Sequence, residues 1–167
     1  MRLNLGCGNH YAEGWTNLDI DSNDQVRPDV VHDVTKPMDF VVEPVDRIYA
    51  GHVLEHLDFD VVVPTLELWR TVLAPDGEMV VVGPDCDRAE ALVAAGELTD
   101  EDFRSIRYGR GAWEHDVHLW RSSEAATTAL LDAAGWKWTA VEVESLVESE
   151  YPLVSGVGWQ FAVRASY

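Results

Sequence analysis

A glycine loop that leads within a few residues to an acid is the feature that most constrains the fold of this chain. Residues 2–5 have the alternation of a short strand, Gly6 and Gly8 follow, and a second strand-like run ends in Asp19, eleven residues after Gly8. Glycine adopts positive φ and lets a ligand approach bare backbone, and doubly wound sheets bind ligands at the carboxyl ends of their strands. The pattern predicts a nucleotide-like ligand whose ribose diol donates two hydrogen bonds to Asp19. A tight turn beside a solvated acid is the alternative.

The spacing of this pattern separates it from dinucleotide sites. A dinucleotide fingerprint carries a third glycine and places its acid about 20 residues further along. Here Tyr11 stands where the third glycine would be, and Asp19 comes much sooner. The sequence therefore disfavours a nicotinamide cofactor and leaves little room for a long helix between the first two strands.

The rest of the chain alternates between strand-like and helix-like segments, which is typical of a parallel sheet covered by helices. Five further strands are expected, at 30–31, 46–50, 78–82, 138–143 and 159–164. Helical spacing with start and stop signals predicts three helices: one from Pro64 that stops at Pro75 and Gly77, one that opens on a capping box of Asp87 and Glu90 and ends at Gly96, and one between Ser122 or Ser123 and Gly135.

The motifs resemble, in order and over essentially the whole chain, those of the class I S-adenosylmethionine-dependent methyltransferases. The residues that carry the resemblance are Leu3–Gly8, Asn17–Asp19, His32–Val34, Gly51–Leu57 and Leu73–Gly77. The resemblance implies an α/β fold, with a doubly wound, Rossmann-like, mostly parallel sheet of seven strands, an antiparallel last strand and helices on both faces. The short first crossover is similar to that of a small branch of the superfamily that often accompanies glycan-building genes.

The resemblance also implies S-adenosylmethionine as the cofactor. Asp19 would take the ribose hydroxyls, Ile20 would pack on the adenine, and Asp33 with Val34 would meet the adenine edge. His52 would lie beside the methionine moiety or the acceptor. The expected cofactor-binding residues are Leu5, Gly6, Cys7, Gly8, Asp19, Ile20, Asp33, Val34, Gly51 and His52.

Candidate catalytic residues follow from the chemistry. Because a sulfonium methyl is already activated, such an enzyme mainly holds the acceptor in line with it and excludes water. An oxygen or nitrogen acceptor also gives up a proton, and the candidate bases are His52, Asp85 and His118. A hydrogen-bonded packing role is the alternative for each histidine. By resemblance, Glu55 and His56 belong to a motif that is more often structural.

A metal site can be drawn from His115 and His118 with Asp116 and Asp85. The spacing is not specific, and the sequence has neither a cysteine pair at zinc spacing nor an H-E-x-x-H motif. No metal cofactor is therefore predicted, and His115 is kept as a further candidate base.

The stretch at about 97–121 is too long for an ordinary connection and carries four aromatic residues. We expect it to form a small cap over the carboxyl edge of the sheet, within a single domain spanning 1–167. Arg104, Arg107 and Arg110 are spaced by three, so on a helix they would form one ridge for a carboxylate or phosphate of the acceptor. The alternatives are a helix that only packs on the domain and arginines that pair with the protein's own carboxylates.

The net charge of −18 disfavours non-specific nucleic-acid binding, which needs lysine and arginine against phosphates. The two cysteines indicate no disulfide framework, and no apolar run approaches the roughly 18 residues that a membrane span needs. We expect a cytoplasmic protein without membrane contact. The expected function is methylation of an oxygen or nitrogen of a small-molecule or saccharide-like acceptor. The alternatives are a nicotinamide-dependent oxidoreductase and a catalytically degenerate binding protein of the same fold.

Overall fold

The computed structural model describes residues 1–112, 115–147, 151–152 and 158–167. Seven strands form one sheet: β1 (Arg2–Leu5), β2 (Thr16–Asp19), β3 (Val30–Val31), β4 (Val45–Gly51), β5 (Leu73–Pro84), β6 (Lys137–Val141) and β7 (Gln160–Ser166). The α-helices are α1 (Phe59–Arg70), α2 (Cys86–Ala94), α3 (Asp100–Tyr108), α4 (Glu124–Ala133) and α5 (Val143–Val147). A short 3₁₀ turn, Leu54–His56, follows β4. Within the described ranges, no helix is both long and apolar enough to cross a membrane.

The strand order is β3-β2-β1-β4-β5-β7-β6. Pairing is parallel from β3 to β5, and β7 pairs antiparallel with both β5 and β6. This confirms the predicted Rossmann-like sheet, in which only the last strand runs against the others. The strand order reverses at β1, and doubly wound sheets bind ligands beside such a reversal.

The two faces of the sheet carry separate apolar clusters, because neighbouring residues of a strand point to opposite sides. On β5, Met79 and Val81 join one cluster together with residues of α1 and α4. Val80 and Val82 join the other, together with residues of α5. Helices therefore cover both faces, as predicted.

The first crossover has no helix. Parallel strands are usually joined by a dozen or more residues that include a helix, but residues 6–15 connect β1 to β2 in turns and loops. Side-chain amides hold this connection instead: Asn4 Nδ2 donates to Asn17 Oδ1 and to the His10 carbonyl, both at 2.9 Å. The N–H of Ala12 donates to the same Asn17 oxygen at 2.9 Å. The expected lack of room for a first helix is confirmed.

The boundaries of α1 differ from the prediction. The helix begins at Phe59, five residues before Pro64, and ends at Arg70. Leu73 falls inside the predicted helix, but it pairs with Val45 as the first residue of β5, so Pro75 and Gly77 lie inside a strand. Pairing in the sheet thus overrides the helical spacing at this point.

The start of α2 and the end of β6 also differ. Asp85, rather than Asp87, caps α2, because its side chain accepts from the N–H groups of Asp87 and Arg88. The predicted strand 138–143 ends at Val141, after which α5 begins. α4 is capped by Ser123, as predicted.

Candidate functional site

The carboxyl ends of five parallel strands bring predicted site residues to one edge of the sheet. Gly6 follows β1, Asp19 ends β2, Asp33 lies just after β3, Gly51 ends β4 and Asp85 follows β5. Since β2, β1 and β4 are neighbours, Asp19, Gly6 and Gly51 lie at adjacent strand ends. The order of the sheet therefore places these positions in one row.

The glycine loop folds back on the end of β2. The Cys7 N–H donates to the Leu18 carbonyl at 2.8 Å, and the Gly8 N–H donates to Oδ2 of Asp19 at 2.8 Å. Oδ1 of Asp19 accepts from the Asp21 N–H at 3.0 Å. A carboxylate offers about four lone-pair sites, so Asp19 fixes the loop and keeps acceptor capacity for a diol.

Gly6 and Gly8 both have left-handed backbones, with φ of +61° and +51°. A Cβ at Gly6 would lie 2.6 Å from Cγ2 of Val53, so this glycine is needed for packing. A Cβ at Gly8 would have no protein atom of the described residues within 4 Å. Gly8 therefore presents bare backbone to open space beside the Asp19 carboxylate. The open space next to the Gly8 backbone and the Asp19 carboxylate fits a nucleoside with a free diol.

Leu5 and Cys7 are buried at this loop, with 0% and 2% exposure. Burial, reinforced by the carboxylates of Asp19 and Asp29, raises the pKa of the Cys7 thiol to about 12. The thiol is therefore protonated near neutral pH. It packs in the loop rather than serving as a nucleophile.

Ile20, Asp33 and Val34 differ in their environments. Ile20 exposes 48% of its surface just past the end of β2, whereas Val34 is buried. Oδ1 of Asp33 accepts from the N–H and the hydroxyl of Thr35 at 2.9 and 2.7 Å. Burial opposes ionisation of Asp33, but these hydrogen bonds and the charge of Lys36 outweigh it and lower its pKa.

His52, directly after β4, has an unusual backbone and two side-chain partners. Among the described residues it is the only one besides glycine with positive φ, at +55°. Its Nδ1 lies 3.0 Å from Oε1 of Glu55, and its Nε2 lies 2.6 Å from the Gln160 amide nitrogen. Because an amide N–H₂ only donates, Nε2 accepts, and the ring proton sits on Nδ1 and is donated to Glu55. Strained backbone of this kind clusters at functional sites.

Glu55 is a buried carboxylate surrounded by histidines. Its exposure is 1%. Burial would raise its pKa, but the hydrogen bond from His52 and the charges of His52, His56 and His118 outweigh that effect and lower it. Burial lowers the pKa of His118, whose Nδ1 lies 2.8 Å from the Ile106 carbonyl. The fold thus brings two of the predicted bases, His52 and His118, to the same carboxylate.

The third candidate base, Asp85, makes hydrogen bonds that stabilise the start of α2. Its Oδ1 accepts from two N–H groups at the start of α2, each at 3.1 Å, and its Oδ2 lies 3.8 Å from Nε of Arg88. Its exposure is 6%. The position after β5 was predicted correctly, and the hydrogen bonds give Asp85 the role of a helix cap.

The three arginines of the cap do not share one helix. Arg104 and Arg107 lie on α3, which ends at Tyr108, and Arg110 follows Gly109 in the loop. Gly109 has φ of +77°, which stops the helix, so the predicted single ridge is wrong for Arg110. Arg104 and Arg110 nevertheless line one open cavity of about 560 Å³. Arg107 stacks on the ring of Tyr108 at 4.7 Å.

The segment after α3 contacts two strand ends at the edge of the sheet. The Leu119 N–H donates to the Glu55 carbonyl at 2.8 Å, and Nε1 of the buried Trp120 donates to the Leu54 carbonyl at 2.9 Å. At the other strand end, Nε2 of His115 lies 3.8 Å from Oδ1 of Asp21. Residues 115–120 therefore reach from the loop after β2 to the 3₁₀ turn after β4.

The sequence did not indicate Gln160, and it gave Glu55 only a structural role. Gln160 lies 108 residues from His52 and reaches it because β7 inserts beside β5. No local signal marks such a contact. Glu55, three residues after His52, could have been found as a partner from its spacing alone.

The fold is shared with several solved structures. DhpI in complex with SAM and HEP superposes with a TM-score of 0.63 at 20% identity, over 99% of this chain and 78% of that one. A SAM-dependent methyltransferase from Archaeoglobus fulgidus gives a TM-score of 0.58 at 14% identity, over 99% and 85%. A structure described as a pericyclic reaction enzyme gives 0.59 at 9% identity, over 100% of this chain and 43% of that one.

No protein-family model and no curated protein matches the chain. At these identities the structural similarity establishes the fold alone, which this chain shares with structures described as S-adenosylmethionine-dependent methyltransferases. The chemistry of this chain has to be argued from its own site.

Proposed function

We propose that this chain transfers a methyl group from S-adenosylmethionine to an oxygen or nitrogen of a small-molecule acceptor. The observation that carries the proposal is the hydrogen bond from Gly8 to Asp19, which sets an accessible glycine backbone beside a strand-end carboxylate. Neighbours of the same fold that hold SAM or SAH support the assignment.

The residues at this edge fit the cofactor that the sequence motifs imply. Asp19 has acceptor sites left for a ribose diol, and the exposed Ile20 side chain offers an apolar surface to a base. Asp33 with Val34 lies at the end of the next strand, on the side where an adenine edge would lie. When bound, S-adenosylmethionine supplies a methyl group that its sulfonium already activates.

We assign His52 as the general base. Glu55 holds the proton-bearing Nδ1, so Nε2, which accepts from the Gln160 amide in this structure, is the ring nitrogen that we propose takes the acceptor's proton. The imidazolium that forms is stabilised by the buried carboxylate 3.0 Å away, as in other histidine–carboxylate pairs. Asp85 is occupied as a helix cap, and the lowered pKa of His118 makes it a weaker base.

The cap completes the site by closing the edge of the sheet. Its contacts with Glu55 and Asp21, at the ends of β4 and β2, support the proposal that it excludes water from the reacting atoms. The open cavity lined by Arg104 and Arg110 also has Glu101 in its wall, and we propose that the two guanidinium groups bind an anionic group there. We therefore propose a carboxylated or phosphorylated acceptor, including acidic saccharides. We also propose that the cap and the sheet belong to a single domain.

The first prediction concerns cofactor binding. A ligand at one hundred times its dissociation constant adds about 2.7 kcal/mol to the free energy of unfolding, which for a domain of this size raises the Tm by roughly 5–10 °C. We expect S-adenosylhomocysteine at millimolar concentration to give such a shift and NAD to give none. Thermal unfolding with each ligand in parallel measures this. A shift with NAD alone would indicate an oxidoreductase instead.

Two variants test whether S-adenosylhomocysteine binds beside Asp19. Asp19→Asn keeps an oxygen that accepts from Gly8 but removes the negative charge and replaces one acceptor by a donor, so the shift should disappear while the fold remains. Asp24→Asn removes a fully exposed carboxylate and should bind as the wild type does. An undiminished shift in Asp19→Asn would place the ligand elsewhere. Binding without turnover on any acceptor would identify a degenerate binding protein.

A further inference from the structure

Glu55, His56 and His118 form a cluster whose potential ligand atoms, one from each residue, lie within 4.8 Å of one another. Glu55 and His56 belong to the 3₁₀ turn after β4, and His118 to the segment after α3. The backbone hydrogen bond from Leu119 to Glu55 holds these two segments together. The cluster is therefore a product of the fold, and no sequence spacing predicts it.

The two histidines are oriented as metal-binding histidines are. Nδ1 of His56 lies 3.1 Å from the Val117 carbonyl, and Nδ1 of His118 lies 2.8 Å from the Ile106 carbonyl. A carbonyl only accepts, so Nδ1 carries the proton in each ring and the lone pair is on Nε2. Histidines that ligate metals almost always donate their other ring N–H to a carbonyl or carboxylate in this way.

Glu55 supplies the negative charge of the cluster. It is a carboxylate with 1% exposure, and buried charges are normally paired with a cation or coordinate a metal. Its Oε1 accepts a hydrogen bond from Nδ1 of His52. A bound cation would give this buried carboxylate a direct ionic partner.

We propose that Glu55, His56 and His118 form a binding site for a divalent transition metal, for which Zn²⁺ is the best fit. Two imidazoles and one carboxylate are a zinc ligand set, whereas Ca²⁺ and Mg²⁺ prefer oxygen ligands throughout. Tetrahedral bonds of about 2.1 Å need ligand atoms about 3.4 Å apart, so atoms that lie up to 4.8 Å apart would have to close by as much as about 1.4 Å on binding. Three protein ligands leave a fourth position for water or an acceptor oxygen.

This site differs from the His115 and His118 grouping that the sequence suggested. His115 lies against Asp21, Asp116 accepts from the Ala112 N–H at 3.0 Å, and Asp85 caps α2. Of that grouping only His118 belongs to the proposed site. None of its three ligands is among the proposed cofactor-binding residues, but the site shares Glu55 with the proposed base His52, so metal binding and proton transfer meet at this carboxylate.

Metal titration of the purified chain after treatment with EDTA tests the proposal. We expect one equivalent of Zn²⁺ to bind in calorimetry and to raise the Tm, and Co²⁺ to give the intense visible absorption of a tetrahedral site. His56→Gln and His118→Gln should each weaken Zn²⁺ binding at least about tenfold. His10→Gln, which removes an exposed histidine, should bind as the wild type does.

Absence of stoichiometric Zn²⁺ and Co²⁺ binding to the wild type would overturn the proposal, as would binding that survives in both ligand variants. An equal loss of Zn²⁺ affinity in His10→Gln would indicate adsorption to surface histidines, and this result would also overturn the proposal. If a histidine variant fails to fold, Glu55→Gln and the Zn²⁺-dependent rise in Tm of the wild type provide the same test. The rise in Tm with S-adenosylhomocysteine is measured with and without Zn²⁺. It shows whether the cofactor site works, independently of whether the metal site does.

Discussion

At the scale of single residues, Gly6 and Gly8 show how the same backbone conformation can serve two purposes. Both are left-handed, but Gly6 faces Val53 whereas Gly8 faces open space. A Cβ in left-handed backbone costs about 1–2 kcal/mol, and an overlap in a packed interior costs a further 1–3 kcal/mol or so. The first cost applies at both positions and the second only at Gly6.

We therefore predict opposite phenotypes for two alanine variants. Gly6→Ala should lose about 2–5 kcal/mol of unfolding free energy, whereas Gly8→Ala should lose about 1–2 kcal/mol. Gly8→Ala should instead lose affinity for S-adenosylhomocysteine, because its new methyl group enters the space proposed for the ligand. Urea denaturation and calorimetry measure the two quantities.

Gly14 offers the matched control. It has φ of +77°, and among the described atoms nothing lies within 4 Å of where its Cβ would be. Gly14→Ala should thus lose as much stability as Gly8→Ala while keeping full affinity. Equal affinities in the Gly8 and Gly14 variants would show that the ligand does not contact the glycine loop.

At the scale of elements, α3 determines which arginines can act together. The helix opens on a capping box of Thr99 and Asp102 and is stopped by Gly109, so Arg110 leaves the helical register. Arg110 nonetheless lines the same cavity as Arg104, whereas Arg107 is turned onto Tyr108. The cavity, rather than a helical ridge, is the unit that we propose to bind an anionic acceptor.

The corresponding prediction compares two kinds of arginine variant. Arg104→Gln combined with Arg110→Gln should raise the KM for a carboxylated or phosphorylated saccharide, because two forked donors are lost. The affinity for S-adenosylhomocysteine and the kcat should change little. Release of S-adenosylhomocysteine from S-adenosylmethionine, measured over a panel of such acceptors, reports both constants.

Arg107→Gln is the control for this pair, since it removes one positive charge from α3, the helix of Arg104, at a position outside the cavity. Its KM should stay near that of the wild type, and added salt should weaken acceptor binding only in chains that keep Arg104 and Arg110. A KM raised equally in both variants would mean that the general charge of α3, not the cavity, attracts the acceptor.

At the scale of the whole molecule, the parts that the sequence predicted are those encoded locally. A strand, a glycine loop and an acid lie within the first nineteen residues, so their meeting at Asp19 follows from adjacency of β1 and β2. The contact between His52 and Gln160 spans 108 residues and depends on where β7 inserts. The cluster around Glu55 likewise depends on how the segment after α3 docks on the 3₁₀ turn. Such docking has no signature in local spacing.

The net charge of −18 acts on the molecule as a whole. Like charges at this density repel one another in the compact state, which lowers its stability. The ion pairs of the described residues oppose this only weakly, because several of them, such as Arg121 with Asp87 and Glu90, lie at the surface. Exposed pairs contribute about 0–1 kcal/mol each. Repulsion is therefore the larger electrostatic effect.

We predict that the Tm rises when NaCl is increased from about 0.02 to 0.5 M, because the screening length falls from roughly 20 to 4 Å and repulsion fades before short ion pairs do. Sulfate is avoided, since it also strengthens apolar burial. Asp39→Asn combined with Glu43→Gln removes two exposed charges that form no ion pair within the described residues. This variant should melt above the wild type in low salt, and the difference should shrink as NaCl is added. A Tm that falls with NaCl would show instead that the surface ion pairs outweigh the repulsion.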